Sequence, residues 1–345
     1  MSADPLTAAI RALAGGASLR AEDAASAFDV IMRGEATPAQ VAAVLMALRV
    51  KGETADEVAG GARALRRAMV RLPADDPDAL VDTCGTGGGA VATFNISTAA
   101  ALVAAGEGVR IAKHGNRSFT TRCGSADVLE ALGVRIEVPV EAMARTLRDA
   151  GIVFMFAPLM HPAMRHVGPV RRELAITTMM NVLGPLANPA SAGRQVVGVA
   201  DASRLRLLAG ALATLGGRHA MVVHGEPGMD EVSPLGCTQV LEVRGGEVTE
   251  WVIAPEEYGL RAGNLDELAG GSPEENARVI TDVLSGRRTD GARAAVLLNA
   301  AAAIYVAGHA ETYAQGVRRA TAALDSGSAL DALARLRAAS ALTNA

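Results

Sequence analysis

The sequence predicts an α/β fold, with a small N-terminal helical domain and a larger domain whose mostly parallel central sheet is flanked by helices. Two observations predict this class. Residues 1–70 show helical spacing of apolar side chains and helix caps, without a strand-like run. From about residue 78, short runs rich in β-branched residues alternate with Ala- and Leu-rich stretches, a pattern typical of a parallel sheet covered by helices.

Four helices are predicted before residue 75. Apolar residues at helical spacing mark a short first helix, and a second covers roughly 19–33. Capping boxes at Thr37–Gln40 and Thr54–Glu57 open the third and fourth helices, because a hydroxyl and a Gln or Glu three residues later satisfy each other's backbone N–H groups. A bundle of this size is small for an independent domain, so we expect an exposed apolar stripe to form a subunit contact.

The sheet and its helices are predicted in the larger part of the chain, from about residue 78 onwards. Predicted strands cover 109–112, 152–156, 196–199 and 220–223, and predicted helices cover 99–106, 126–132, 141–150 and 203–215. Val240–Arg244 and Val248–Val252 flank two glycines and predict an appended hairpin. A capping box at Ser272–Glu275 opens a helix that ends at Gly286, and the last fifty residues predict Ala-rich helix.

Composition limits the class of protein. The 345 residues, half of them hydrophobic, suffice for one large or two ordinary domains. A net charge of −4 with both signs mixed gives no basic face, so we expect no nucleic-acid partner. The three cysteines, Cys84, Cys123 and Cys237, match no metal spacing and no complete disulfide framework. With no signal-like start and no apolar run long enough to cross a bilayer, we expect a cytoplasmic protein without a membrane partner.

Three elements suited to anions lie between Asp82 and Gly133. Glycines at 85 and 87–89 let backbone N–H groups approach an anion closely. Asn95, Ser97 and Thr98 open an apolar helix whose N-terminus suits phosphate. Lys113 and Arg117 add full positive charges. Their convergence predicts a ligand with more than one phosphate, although a lone glycine-rich stretch is more often a turn.

Two further groups carry chemistry. Asp230-Glu231 follows a predicted strand, at the sheet edge where ligands of α/β proteins bind. Adjacent carboxylates there suit Mg²⁺ bridging to substrate phosphates, and elsewhere such a pair is a common surface feature. Arg171 either clamps a substrate carboxylate or forms an ion pair, for example with Glu173.

These motifs together resemble the anthranilate phosphoribosyltransferase family of tryptophan biosynthesis over essentially the whole chain. The matching segments are Gly85–Gly88, Asn95–Thr98, Lys113–Ser118, Gly124–Asp127, His161-Pro162, Val170–Arg172, Asn181–Pro189, Asp230–Ser233 and Gly270–Asn276. The resemblance implies transfer of the phosphoribosyl group of 5-phosphoribosyl 1-diphosphate to the amine of anthranilate, with release of pyrophosphate. It also implies a homodimer, Mg²⁺ and an active site in the cleft between a helical domain (1–75, with a returning segment near 165–187) and an α/β domain (78–164 and 188–345).

The resemblance also implies roles for individual residues. Positions matching the diphosphate site are Gly85, Gly88, Asn95, Ser97, Thr98, Lys113 and Ser125. Ser97, Asp230 and Glu231 match the Mg²⁺ ligands, and Gly85, Asn116 and Arg171 match the anthranilate contacts. Further substrate-binding candidates are Gly89, Thr93, Ile96, His114, Gly115, Arg117 and Ser118. No side chain is assigned as a certain catalytic group; His114 is a candidate proton acceptor, with orientation of the substrate as its alternative role.

Two departures and two alternatives accompany the resemblance. The family's glycine loop usually ends in Asp, whereas position 89 is Gly, and Thr177–Met180 also differs from the common pattern. A nucleoside phosphorylase shares the fold but would bind inorganic phosphate and a nucleoside, and Asn116 with Arg171 speaks against it. A non-catalytic, nucleic-acid-binding relative would show a basic surface and lack the metal carboxylates.

Overall fold

A computed structural model describes residues 4–89, 91–118 and 122–342. The chain opens with four helices, α1 Pro5–Ala14, α2 Ala21–Met32, α3 Pro38–Lys51 and α4 Ala55–Ala68. Both predicted capping boxes form: Thr37 Oγ1 accepts the Gln40 N–H at 3.3 Å, and Thr54 Oγ1 accepts the Glu57 N–H at 3.2 Å. The predicted helical start of the chain is therefore confirmed.

A seven-stranded sheet follows. Its strands are β1 Val81–Gly85, β2 Ile111–Gly115, β3 Ile152–Phe156, β4 Arg194–Gly198, β5 His219–Gly225, β6 Thr238–Arg244 and β7 Glu247–Ile253. They lie in the order β3-β2-β1-β4-β5-β6-β7, with β1 to β5 parallel and β6–β7 an antiparallel hairpin. The mostly parallel sheet with an appended hairpin is confirmed, and the carboxyl ends of β1, β2, β4 and β5 share one edge.

The remaining helices lie between and after the strands along the chain. They are α5 Ile96–Gly106, α6 Ser125–Ala131, α7 Val140–Ala150, α8 Ala157–Met160, α9 Gly168–Leu174, α10 Met180–Leu183, α11 Leu205–Leu215, α12 Pro273–Leu284, α13 Gly291–Ala307, α14 Tyr313–Asp325 and α15 Ser328–Ala341. Alternate residues of β4 face opposite layers: Val196 packs in the core with α5 and α13, whereas Val197 packs with α11 and the N-terminal helices. The C-terminal helical region consists of three helices because Gly308 and Gly327 interrupt it with left-handed backbone.

The central strand β1 was not among the predicted strands. Only Leu80 and Val81 precede a run that contains Asp82, Cys84 and Gly85, and an acidic residue argues against a buried strand on propensity alone. The fold compensates the charge: Asp82 Oδ1 accepts the backbone N–H of His114 at 3.1 Å, and Oδ2 accepts from Asn188 Nδ2 at 2.7 Å. Burial still raises the pKa of Asp82 to about 6.

The segment after β3 returns to the N-terminal helices. Val167, Val170, Met179 and Leu183 share a hydrophobic core with residues of α2, α3 and α4. This packing supports the division into 1–75 with 165–187 and 78–164 with 188–345, whose limits remain a prediction. Within the described residues, every helix is too short or too polar to cross a membrane.

Candidate active site

The glycine loop after β1 is closed by Asp230 from the loop after β5. The Gly87 N–H donates to Asp230 Oδ2 at 2.9 Å. A Cβ at Gly85 would lie 2.5 Å from the same oxygen, and one at Gly198 would overlap the Asp230 carbonyl oxygen. Glycine at both positions therefore lets the Asp230 carboxylate lie against the loop that the sequence predicts to bind phosphate.

The start of helix α5 differs from our expectation of free backbone donors for phosphate. The Ser97 N–H donates to Glu231 Oε1 at 3.1 Å, so a carboxylate from a distant loop takes this donor. The N–H groups of Ile96 and Thr98 donate to the carbonyls of Phe94 and Asn95 at 2.8 and 3.1 Å. That expectation is corrected, because these three backbone N–H groups are paired within the protein.

Ile96 and Thr98 are both buried at this helix start. The side chain of Ile96 is inaccessible in the core, so a contact between it and substrate is excluded in this conformation. Thr98 is 2% exposed, and its hydroxyl has no hydrogen-bond partner within the described residues. A buried unpartnered hydroxyl is uncommon because its desolvation is uncompensated, which is consistent with a role for Thr98 in ligand binding.

Lys113 brings a buried cation to the same place. It lies in β2, which extends three residues beyond the predicted strand, and its side chain is nearly inaccessible. Its Nζ donates to the Thr83 carbonyl and to Ser97 Oγ, the latter at 3.2 Å. Burial lowers the pKa of Lys113, while the carboxylates of Asp82 and Glu231 oppose that shift. The cation therefore lies between carboxylates and the hydroxyl of Ser97.

Asp230 and Glu231 have the donor chemistry of a Mg²⁺ site. Burial raises the pKa of both carboxyls, and the charge of Asp230 raises that of Glu231 further. The described residues contain no group of three or more His, Cys, Asp or Glu side chains arranged for a metal. Two carboxylates and a hydroxyl nevertheless fit Mg²⁺, which commonly takes one or two protein carboxylates together with water and substrate phosphates.

A cavity of about 440 Å³ lies between the returning segment and the carboxyl ends of β2 and β3, a size typical of small-molecule sites. Its wall includes Leu65 of α4, His114, Asn116, His161, Arg171 and Met180. The structure thus brings together Asn116 and Arg171, two of the three residues matched to anthranilate contacts. The third, Gly85, lies beside Asp230 and not among the residues lining this cavity.

The guanidinium of Arg171 is free for a ligand. Arg171 is half-buried, and burial lowers its pKa. Among the hydrogen bonds and ion pairs of residues 4–89, 91–118 and 122–342, none involves its side chain. The alternative of an ion pair with Glu173 is therefore not formed in this structure.

Two histidines present neutral rings to the cavity. The ring centroids of His114 and His161 are 4.8 Å apart. Burial lowers the pKa of His114 to about 3 and that of His161 to about 4, and the neighbouring His161 contributes to the shift of His114. A ring with so low a pKa is a weak proton acceptor at neutral pH, so orientation of substrate is the role that we keep as the prediction for His114.

Several polar groups of residues 115–118 and 122–125 are paired within the protein. The guanidinium of Arg117 contacts Asp127 at 2.9 Å and Glu130 at 2.5 Å, which corrects our expectation of a free positive charge for phosphate. The Ser118 N–H also donates to Asp127, and Ser125 Oγ donates to the Asn116 carbonyl at 3.3 Å. Substrate contacts by Gly115, Arg117, Ser118 and Ser125 remain predictions, as does a contact by Thr93, which forms an isolated bridge with Ala269.

Two asparagines that support the site carried no role in the sequence analysis. Asn299 of α13 binds both backbone groups of Val232, accepting its N–H at 2.9 Å and donating to its C=O at 2.8 Å. Asn276 of α12 donates to Asn95 Oδ1 at 2.9 Å. The sequence signal that could have indicated the role of Asn299 was a lone Asn within the Ala- and Leu-rich run of α13, because a buried amide in such a helix needs a specific partner.

Comparisons with known proteins agree with the fold and the site described above. Two family models match: residues 7–69 match the helical bundle domain of a glycosyl transferase family, and residues 77–330 match its a/b domain. An anthranilate phosphoribosyltransferase of Rubrobacter xylanophilus is 53% identical over 330 residues, covering 96% of each chain. One of Chloroflexus aggregans is 50% identical, covering 96% of this chain and 97% of the relative.

Solved structures agree as well. The enzyme of Thermus thermophilus superimposes with a TM-score of 0.90 at 42% identity, covering 96% of this chain and 99% of that one. The Saccharomyces cerevisiae enzyme in complex with PRPP and Mg gives a TM-score of 0.87 at 29% identity, covering 99% of both chains. The fold and site thus define a pentosyl-transferring glycosyltransferase. More narrowly, the chain belongs to the anthranilate phosphoribosyltransferase family, as its motifs predicted.

Proposed function

We propose that this protein transfers the phosphoribosyl group of 5-phosphoribosyl 1-diphosphate to anthranilate, using the cavity for anthranilate and the adjoining loops for the diphosphate. The unpaired guanidinium of Arg171 in the cavity wall carries this proposal, because a planar fork of donors matches the carboxylate of anthranilate. A yeast relative was solved with 4-fluoroanthranilate. Asn116 is a further polar residue of the same wall.

Strand β2 connects the two halves of the proposed site. Successive residues of a strand point to opposite faces, and here Lys113 contacts Ser97 while His114 lines the cavity. The diphosphate would be held by Gly85, Gly88, Asn95, Ser97, Thr98, Lys113 and Ser125. Since the amine of anthranilate is neutral at pH 7, the protein needs mainly to hold it against C1 of the ribosyl ring while the diphosphate leaves.

Asp230, Glu231 and the hydroxyl of Ser97 would hold Mg²⁺, and the relative solved with PRPP and Mg supports the choice of this ion. The ion, when bound, neutralises charge that develops on the leaving diphosphate. Gly89 leaves the loop without the additional carboxylate that is usual in the family. The buried carboxylates of Asp230 and Glu231 therefore carry the binding of the ion.

We further propose a cytoplasmic homodimer. The exposed apolar residues of the helical part include Val50, which is 80% exposed, and Ile176 of the returning segment, which is 46% exposed. Such residues are available for a subunit contact. Light scattering across a concentration series would give the mass of the particle, and a monomer at all concentrations would contradict this part of the proposal.

The function is tested by incubating the purified protein with anthranilate, 5-phosphoribosyl 1-diphosphate and Mg²⁺, and following the loss of anthranilate fluorescence together with pyrophosphate release. We expect stoichiometric loss and release, and neither after chelation of Mg²⁺. A parallel reaction with pyrimidine nucleosides and inorganic phosphate tests the nucleoside phosphorylase alternative. Turnover there, without consumption of anthranilate, would overturn the proposal.

A further inference from the structure

A chain of hydrogen bonds connects helix α12 to the phosphate loops. The backbone N–H of Gly271 donates to Asn276 Oδ1 at 2.7 Å, and Asn276 Nδ2 donates to Asn95 Oδ1 at 2.9 Å. Asn276 is 2% exposed. It is therefore a buried amide whose oxygen and nitrogen both have fixed partners, one on its own segment and one on the segment that opens helix α5.

The direction of these hydrogen bonds is set by the backbone N–H of Gly271. A backbone N–H only donates, so it selects the oxygen of the Asn276 amide and turns the nitrogen towards Asn95. That nitrogen in turn selects the oxygen of Asn95. The second partner agrees, because Asn95 Nδ2 donates to the Cys123 carbonyl at 3.3 Å and the Cys123 thiol donates to Asn95 Oδ1 at 3.3 Å.

These hydrogen bonds determine which group of the Asn95 amide can face a ligand. With Oδ1 held by Asn276 and Cys123, the amide has one N–H without a partner among the described residues. A diphosphate oxygen is a pure acceptor, so a donor is what the ligand requires, and a reversed amide would present an oxygen to it. The same contacts join three segments, the start of α5, the loop containing Cys123 and the start of α12.

A second set of contacts fixes the same two segments to each other. The Phe94 N–H donates to the Leu268 carbonyl at 3.0 Å, and the Gly270 N–H donates to the Ala92 carbonyl at 3.3 Å. A Cβ at Gly270 would overlap the Thr93 carbonyl, so glycine there allows the close approach. The backbone of 268–271 thus brings Asn276 to Asn95 independently of the side-chain contact.

We infer that Asn276 is a positioning residue that sets the orientation of the Asn95 amide for diphosphate binding, without itself touching the substrate. The inference rests on the proposed function, in which Asn95 binds the diphosphate. It predicts that the effect of Asn276 on the substrate passes through Asn95 alone. Replacing Asn276 should therefore weaken binding of phosphoribosyl diphosphate and leave binding of anthranilate unchanged.

Asn276→Asp keeps the size of the side chain and an acceptor for the Gly271 N–H, and it places an acceptor against Asn95 Oδ1. We expect the KM and the calorimetric Kd for phosphoribosyl diphosphate to rise about three- to tenfold, as for one lost hydrogen bond, with the KM for anthranilate unchanged. The matched control is Ser272→Ala, which removes the N-cap of the same helix. It should lower thermal stability while leaving both KM values unchanged.

The decisive measurement is a double-mutant cycle with Asn95→Ala. In the Asn95→Ala background, Asn276→Asp should cause no further rise in the Kd for phosphoribosyl diphosphate. Additive effects, or equal effects on both substrates, would overturn the inference. If Asn276→Asp does not fold, Asn276→Ala enters the same cycle with the same two outcomes. Activity of the unaltered protein is measured first, so a failure of the proposed function is separate from a failure of this inference.

Discussion

Replacing Arg171 with Ala tests whether the cavity recognises the anthranilate carboxylate. Arg171 lines the cavity, and within the described residues its guanidinium has neither an ion pair nor a hydrogen bond, so its loss breaks no internal contact of that kind. A hydrogen bond to a charged group contributes about 1.5–3 kcal/mol. We therefore expect kcat/KM for anthranilate to fall about ten- to a hundredfold.

The two kinetic constants should move in a defined way. The guanidinium that holds the carboxylate also aims the adjacent amine, so Arg171→Ala should raise the KM for anthranilate and lower kcat. The KM for phosphoribosyl diphosphate should change little. Arg171→Lys should rescue poorly because a point charge lacks the planar fork.

Arg172→Ala is the matched control for these measurements. Arg172 is the next residue of α9, is exposed, and is not among the residues lining the cavity. Steady-state kinetics are measured from anthranilate fluorescence with each substrate varied in turn. Equal impairment towards both substrates in Arg171→Ala, or the same loss in Arg172→Ala, would refute direct recognition of the carboxylate.

Three further perturbations test the neighbouring parts of the site. Converting Asp230 and Glu231 together to Ala should lower the rate about a hundred- to a thousandfold, and near-normal turnover of the folded variant would contradict the metal assignment. Gly89→Asp should lower the Mg²⁺ concentration for half-maximal activity, since its Cβ would lie 3.5 Å from Asp230 Oδ1 and 3.2 Å from the Gly228 carbonyl; an unchanged or raised requirement would count against it. The folded state holds His114 and His161 neutral, with pKa values lowered from 6.5 to about 3 and about 4, so these two side chains bind more protons in the unfolded state and their contribution to stability should fall from about pH 6.5 towards pH 4. The Tm of His161→Leu should depend less steeply on pH than that of the unaltered protein. An equal slope of Tm against pH would argue against His161 as a source of this pH dependence.

Local rules determined much of the fold. The capping boxes at Thr37 and Thr54 depend only on residues within one helical turn, so they form where the sequence places them. The hairpin around Gly245 follows from two strand-like runs separated by glycines, and the structure pairs Arg244 with Glu247. The family motifs likewise identified the reaction, because their order along the chain is itself specific.

Strand β1 and the start of α5 were decided by contacts between distant segments. Asp82 lies in a strand because Asn188, more than a hundred residues later, supplies a donor for its carboxylate. The donors predicted at the start of α5 are occupied because Glu231 reaches the Ser97 N–H. Neither contact follows from periodicity or propensity, which describe only neighbours in sequence.

Hydrophobic periodicity, caps and motif order suffice to predict the fold class, the family and the candidate residues, because they are properties of local segments. Which charged side chains are free depends on the packing of distant segments. Arg117 and Arg171 are the same residue type in neighbouring predicted motifs, yet Arg117 is neutralised by Asp127 and Glu130, whereas Arg171 faces the cavity. This difference arises because the role of an ionic group depends on the groups that packing brings within a few ångströms of it.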